Sequence, residues 1–550
     1  MMRRALFGCV LGLFSFATAT TPLAATRPSL VVVIVVDQMR RDYVEDYGSH
    51  WTKGLRRLLD EGAVYPNAAY PYLTTLTCAG HATIATGTFP STHGIINNTW
   101  WDRETQKNVS CSSDATGREV PYGDRQPGAG GGARLLKAPT FADALADSPQ
   151  HGHIVTLSMK RASAAMLAGQ KADAALWLQG NGWSSSTAYA PAPEKSLLRF
   201  IQSNPVEADF GKSWSRMGKG SDYKYEDAGL GEKPPPEWDP TFPHLLQPRD
   251  GKPTTFFYAA WEESPYSDAY VARMASAAID GMKLGQGPGT DYLAISFSAL
   301  DVVGHDFGPR SHEIQDVLMR LDETLGKFLA DLDKKVGTDR YVLAFTADHG
   351  VAEIPEQAKA EGKDAGRIMM NDIMARTDQT MSAKYGAGHW VAAQAYSELY
   401  FRAGAFEKLT ADPELLASVI HGIEAVPGVQ RVIDGRTLAA PPAADEDAAT
   451  QAARKSYFPG RSGDLLIIPK ANWIFVSDDK TIIPGNATTH GTYNDYDQRV
   501  PLILFGGGIA KGRYETAVTP ADIAPTLARL CGISLPTATG HPLDEVLPRQ

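Results

Sequence analysis

Cysteine is scarce in this 550-residue sequence: there are four, and one of them, Cys9, falls within the first 25 residues. The remaining Cys78, Cys111 and Cys531 exclude a disulfide-built scaffold, and three is an awkward number for an oxidising compartment. Cys78 and Cys111 flank one segment and can pair, whereas Cys531, in Leu-Ala-Arg-Leu-Cys-Gly, reads as a buried helix-end thiol; three free buried thiols are the alternative. A basic excess is also missing. The formal charge is −10, and −12 once Arg3 and Arg4 leave with residues 1–25. An acidic chain is ill suited to nucleic acid as its main partner, though a local metal site can still attract a small anion. Long apolar runs are lacking too. The stretch Ala5 to Phe16 follows Arg3 and Arg4 and precedes small residues at Ala17-Thr18-Ala19 and Ala24-Ala25, the pattern of a cleaved signal peptide over 1–25. It is too short for a bilayer span, and no later stretch comes near that length. The expectation is an exported, soluble protein of the periplasm or medium, without a membrane anchor. Internal repeats and a long disordered tail are absent as well.

What is present is an ordinary globular composition, 43% hydrophobic and 21% charged, at a length beyond one common domain. Either two domains or one large α/β core with insertions fits. Leu30 to Val36 is an unbroken apolar, mostly β-branched run ending at Asp37, as expected of a strand buried on both faces of a parallel sheet. Asp291 to Ser298 and Arg340 to Thr346 repeat it and end near Asp301 and Asp348. Between them, Ile314, Val317, Leu318, Leu321, Leu325, Phe328, Leu329 and Leu332 recur at helical spacing, giving a strand-helix-strand unit. His153 to Leu157 and Val500 to Phe505 read as further strands. The expected fold is therefore α/β, a doubly wound, mostly parallel sheet sandwiched by helices. Two stretches break the pattern, at about 181–285 (rich in Pro, Gly, Trp and Tyr) and about 365–480. Both read as insertions over the sheet rather than separate cores.

Open α/β sheets place their chemistry at the carboxyl ends of strands, and the chemically distinctive residues fall there. Asp37 closes a buried strand, where a charge needs a partner. Asp301-Val-Val-Gly-His305 brings a carboxylate and an imidazole within reach of one ion, although a capping Asp and a surface His would look alike. Asp348-His349-Gly350 follows another strand, and His490 completes the set. Three carboxylates, three imidazoles and a hydroxyl supply enough ligands for two zinc ions and one activated nucleophile. Thr77, ahead of Cys78-Ala79-Gly80-His81-Ala82-Thr83, is placed as the N-cap of a short helix, whose free N–H groups favour phosphate oxygens. Spacing alone does not choose Thr77 over Thr74, Thr75 or Thr83.

In this order, Asp37, Thr77-x-x-Gly-His-Ala-Thr-Ile-x-Thr-Gly, His93-Gly-Ile-Ile-Asn-Asn98, Asp301-x-x-x-His305, Asp348-His349-Gly and Thr489-His490-Gly resemble the alkaline phosphatase superfamily, in particular its Thr-nucleophile bacterial phosphatases of PafA and PhoK type. The likeness runs from about residue 30 to 545. It implies one catalytic domain over 26–550 carrying the two insertions, and two zinc ions about 4 Å apart. Asp301, His305 and His490 would hold one; Asp37, Asp348, His349 and the Thr77 oxygen would hold the other. Thr77 would form a phosphothreonine, and Asn98 would hydrogen-bond a phosphate oxygen. The implied substrates are small phosphate monoesters and the implied state is a monomer; additional Ca²⁺ or Mg²⁺ is left open.

The sequence departs from that family at one motif. The Thr-nucleophile monoesterases carry Lys-x-Arg after a strand end, and here Ser158-Met159 is followed by Lys160-Arg161-Ala162. Lys160 matches; Arg161 stands one position early, so its reach to phosphate is in question. A nucleotide pyrophosphatase/phosphodiesterase shares both metal sites and Thr77 but typically lacks the lysine. A sulfatase would need a Cys-x-Pro-x-Arg segment that Cys78-Ala79-Gly80-His81-Ala82 does not provide. A secreted, non-enzymatic zinc-binding protein would be marked by a missing ligand.

Overall fold

The computed structural model describes residues 27–247, 251–477 and 486–548; the leader expected over 1–25 lies outside them. Its frame is an eleven-stranded sheet. Next to its middle strand is β1 (Leu30–Val36), every residue of which is buried. The β1 side chains alternate between two cores: Leu30, Val32, Ile34 and Val36 enter one, Val31, Val33 and Val35 the other. A strand with apolar side chains on both faces must be covered on both faces, so helices pack on each side.

The elements that position the site, in chain order, are few. Helix α1 (Thr77–Thr86) is followed by β2 (His151–Ser158), α2 (Arg161–Ala168) and β3 (Ala174–Gln179). Then come α3 (Pro265–Met282), β4 (Thr290–Phe297), α4 (Ala299–Phe307), α5 (His312–Lys335) and β5 (Tyr341–Thr346). β1 pairs in parallel with β4, from Leu30↔Asp291 to Val36↔Phe297, and with β5, from Leu30↔Tyr341 to Val35↔Thr346. The predicted strand-helix-strand unit thus crosses over β1 and does not join neighbouring strands. β2 pairs in parallel with β4, and β3 with β2. Helix α5 begins where the Ser311 hydroxyl accepts the Ile314 N–H, and it buries the whole predicted stripe from Ile314 to Leu332.

The two pattern-breaking stretches behave differently. Leu197, Trp214, Trp238, Phe257, Trp261 and Tyr270, from the first, belong to the same core as Leu30 and Ile34. The second stretch departs from the expectation that it has no core of its own. Strands β6 (Val391–Ala395), β7 (Glu398–Phe401), β8 (Val429–Asp434) and β9 (Leu465–Pro469) form a separate sheet in the order β6-β7-β9-β8. Ile368, Met370, Leu399, Leu465 and Phe475 pack around it as their own cluster. These segments are individually short and their pairing is long-range, so sequence periodicity could not show that they close on one another. The strand expected at Val500 to Phe505 is β10 (Leu502–Gly506), and it runs antiparallel to β5.

Because β1, β4 and β5 are parallel and in register, their carboxyl ends share one edge, where Asp37, Asp301 and Asp348 lie. Helix α1 comes down on this edge at Gly80: a Cβ there would stand 2.2 Å from the Asp348 carbonyl oxygen. A missing side chain is what permits that approach. Gly80→Ala should push the helix off the strand end, lowering stability by about 1–3 kcal/mol as overpacking does. Any catalysis at this edge should also fall by up to about 10²-fold through misplacement. Denaturant melts with steady-state kinetics on the same preparation check both, and wild-type values for both would refute the packing argument.

Candidate metal centre

The carboxyl-end edge gathers three buried carboxylates and three imidazoles. The Nε2 of His349 lies 3.4 Å from Asp37 Oδ1 and 3.3 Å from Asp348 Oδ2. Asp301 Oδ1 lies 3.4 Å from His305 Nε2 and 3.7 Å from His490 Nε2. Two groups have converging ligand atoms: Asp37 with Asp348 and His349, and Asp301 with His349 and His490. The first matches the expected set. In the second, His349 stands where His305 was expected, because its ring stacks on that of His490 at 3.5 Å.

Each imidazole is oriented through its back. His305 Nδ1 donates to the Thr488 carbonyl, His349 Nδ1 to that of Gly350 and His490 Nδ1 to that of Thr75, each at 2.9 Å. With Nδ1 carrying the hydrogen, every Nε2 presents a lone pair to the carboxylates, the arrangement that precedes metal ligation. Burial depresses the pKa of His349 and of His490, favouring the neutral ligand form.

The carboxylates are electrostatically expensive. Burial raises the Asp37 pKa, and neighbouring Asp301 and Asp348 raise it further. For Asp301 burial acts in the same sense, but Lys160 and the imidazoles outweigh it and hold the group below the usual carboxylate range. For Asp348, His349 and His81 likewise overcome burial. Asp37 Oδ1 and Asp348 Oδ2 accept no well-aligned hydrogen bond, although His81 Nδ1, which donates to the Thr77 carbonyl, lies 3.2 Å from the latter. Buried oxygens without partners, facing imidazole lone pairs, are what a bound cation satisfies. Oxygen and nitrogen donors in this ratio fit Zn²⁺ better than an all-oxygen Ca²⁺ or Mg²⁺ site. The cation the protein itself supplies is Lys160, whose Nζ lies 2.6 Å from Asp37 Oδ2 and also pairs with Asp301. These two carboxylates raise the Lys160 pKa against the opposing effect of burial.

Thr77 is not the N-cap expected from its sequence. Leu76 caps α1 and Thr77 is the first helical residue, so its hydroxyl is not tied to backbone N–H groups. Its Oγ1 instead lies 3.3 Å from His349 Nε2. The competing threonines are committed elsewhere: Thr74 bonds Ser456 Oγ, Thr75 the Thr492 carbonyl, and Thr83 faces Tyr72 and His93. His81 donates from Nδ1 to the Thr77 carbonyl and accepts at Nε2 from the Ser296 hydroxyl, bracing the helix against β4. His93 likewise orients neighbours rather than ligands: it accepts the Ile95 N–H and donates to Thr83.

Asn98 is held beside Thr77. Its Oδ1 accepts the Cys78 N–H at 2.9 Å, leaving the amide N–H groups for another partner. The backbone carbonyl of Asn98 accepts the Cys111 N–H, and Cys78 and Cys111 form a disulfide. The pairing left open by the sequence therefore links the residue after Thr77 to the turn residue whose N–H bonds Asn98. Cys531 is a buried thiol at the end of its helix. Arg161, by contrast, turns away from Lys160: its Nε donates to Ser112 Oγ at 3.1 Å, and its Cδ packs against Gly131.

One residue of the site escaped the sequence reading. Gln38, directly after Asp37, is buried with φ +68° and donates to carboxylates of both groups. Its only signal was its place at the end of β1.

With this geometry in hand, comparison with known proteins is specific. Residues 31–494 match the family model "Type I phosphodiesterase / nucleotide pyrophosphatase". Alkaline phosphatase PafA of Elizabethkingia meningoseptica is 31% identical over 552 residues, 96% of each chain. Alkaline phosphatase PhoK of Sphingomonas sp is 31% identical over 94% of this chain and 90% of its own. A Myroides odoratus protein named "Calcium-transporting ATPase" is 30% identical over 97% of both. The crystal structure of PafA superposes with a TM-score of 0.85, covering 96% of this chain and all of the other. A solved PafA variant carries substitutions of a Thr, an Asn, a Lys and an Arg. The chain thus belongs to the type I phosphodiesterase / nucleotide pyrophosphatase family, and within the alkaline phosphatase superfamily it is a PafA/PhoK-like phosphate-ester hydrolase.

Proposed function

We propose that this protein is an exported alkaline phosphatase that hydrolyses phosphate monoesters with two Zn²⁺ ions and Thr77 as nucleophile. The observation that carries the reading is the set of three Nε2 lone pairs, each oriented by a backbone carbonyl, facing three buried carboxylates next to the Thr77 hydroxyl. Asp301, His305 and His490 would hold one ion; Asp37, Asp348, His349 and Thr77 the other. When bound, the ions would keep the Thr77 oxygen deprotonated, offset charge on the leaving oxygen and furnish hydroxide.

The remaining work falls to the protein. Thr77 Oγ1 attacks phosphorus in line, the bond to the ester oxygen breaks, and the alcohol departs. Hydrolysis of the phosphothreonine then releases phosphate and restores the hydroxyl. The Asn98 amide, fixed through Cys78, donates to a non-bridging oxygen. Lys160 offers its charge to the additional anionic oxygen that a monoester has and a diester lacks. The Thr-to-Asn and Asn-to-Lys spacings in the PafA variant equal those of Thr77, Asn98 and Lys160 here, whereas its Arg falls at Ala162. Arg161 does not replace it, being held by Ser112. Discrimination against diesters then rests on Lys160 and is weaker than in a chain with both cations. The leader and the Cys78–Cys111 disulfide both suit an oxidising, exported setting. The name of the Myroides relative is not carried over to this chain, in which no described helix is long and apolar enough to cross a membrane.

The direct test measures hydrolysis of an aryl phosphate monoester and the matching diester before and after chelation. Chelation should abolish both activities and Zn²⁺ restore them, with two zinc ions per active chain by metal analysis. Thr77→Ala should retain zinc and lose nearly all turnover, while Thr77→Ser keeps a measurable part. Full activity in chelator, or a competent Thr77→Ala, refutes the assignment.

Lys160→Ala should lower monoester kcat/KM by about 2–4 kcal/mol of transition-state stabilisation, as for a lost oxyanion donor, and diester kcat/KM far less. Arg161→Ala should leave the ratio unchanged. Equal losses on both substrates with Lys160→Ala would favour the phosphodiesterase reading.

A further inference from the structure

Gln38 touches both halves of the metal centre. Its backbone N–H donates to Asp348 Oδ1 at 3.1 Å, and its side-chain Nε2 donates to Asp301 Oδ1 at 2.8 Å. Asp348 belongs to the group with Asp37 and His349, Asp301 to the group with His349 and His490. Gln38 also follows Asp37, so one residue is peptide-bonded to the bearer of one carboxylate and hydrogen-bonded to the two others. Its φ of +68° lies in the left-handed region, which side-chain-bearing residues avoid. A fully buried, non-glycine residue in that region at a functional site is held there by its surroundings. The surroundings are adapted to it: a Cβ on Gly304 would stand 1.9 Å from Gln38 Oε1. Gly304 lies on α4 between Asp301 and His305, so the helix carrying these two ligands has a gap where the amide passes.

We propose that Gln38 is a positioning residue that couples the two metal-ligand clusters, so that an ion in one raises the affinity of the other. The inference rests on the two-metal reading above. An ion held at Asp301 fixes the carboxylate that holds the Gln38 amide. A fixed amide restrains the left-handed turn, and with it the N–H on Asp348 and the carboxylate of Asp37. By linkage the reverse holds equally. Residues behind metal ligands that set their orientation typically contribute 10–100-fold in affinity.

The test titrates metal-free protein with Zn²⁺ against a chromophoric chelator and reads the two binding constants. Wild-type protein should take up two ions, the second at least as tightly as the first. Gln38→Met keeps the length and removes the donor to Asp301; it should still bind two ions, but about 10–100-fold more weakly and independently of each other. Circular dichroism and the melting temperature of the metal-free form should match wild type. Should that variant not fold, Gly304→Ala displaces the amide by pressing on Oε1 and should likewise uncouple the sites. Wild-type constants in the folded variants overturn the coupling while leaving the two-metal reading intact. Uptake of fewer than two ions by wild-type protein overturns both.

Discussion

Three carboxylates buried at one sheet edge repel one another, and the surrounding structure answers that repulsion. Asp37 and Asp348 follow the ends of β1 and β5, and Asp301 lies in the first turn of α4 just after β4, so the register of these three parallel strands brings like charges together. A single Lys160 bridges two of them. One ammonium does not balance three carboxylates in a low-dielectric edge, and the unpartnered Asp37 and Asp348 oxygens mark the shortfall. Metal ions between these groups and three Nε2 lone pairs would remove it, which joins the fold's stability to its chemistry.

The outer parts of the site hold these groups still. Backbone carbonyls of Thr75, Gly350 and Thr488 aim the three imidazoles. His81 ties α1 to β4, and Asn98 is caught between Cys78 and Cys111, which the disulfide joins. Gly80 lets α1 reach the Asp348 carbonyl, and Gly304 leaves room for the Gln38 amide. Thr77 is thereby carried to His349 by a helix that is anchored at several points along its first two turns.

In the proposed reading, preference for monoesters would fall to Lys160, which the carboxylates Asp37 and Asp301 hold at the edge of this part. Lys160 begins the turn into α2, so its charge depends on where β2 ends. One position in register separates Arg161 from the place of the PafA arginine, and that suffices to send its guanidinium to Ser112. Adjacent residues at a helix start differ in direction by about 100°, which separates the Lys160 and Arg161 side chains. The 365–480 stretch, with its own sheet and core, also meets the site: Asn97, beside Asn98, donates to the Ala395 carbonyl at the end of β6.

The sequence by itself determined the central sheet and where the candidate ligands gather. Unbroken apolar strands can only be doubly buried, and an Asp at the end of each must lie at one edge, so Asp37, Asp301, Asp348 and their histidines were legible before folding. The helical period of α5 was equally plain. Tertiary structure alone decided what depends on direction and distance. It removed Thr77 from the cap position, turned Arg161 away from Lys160, and paired Cys78 with Cys111. It gave the 365–480 stretch a core that no local period announces. It also set Gln38 in a left-handed turn between two carboxylates that are 47 residues apart in the chain. Periodicity records which face of an element is buried; where a side chain ends is fixed by partners distant in sequence.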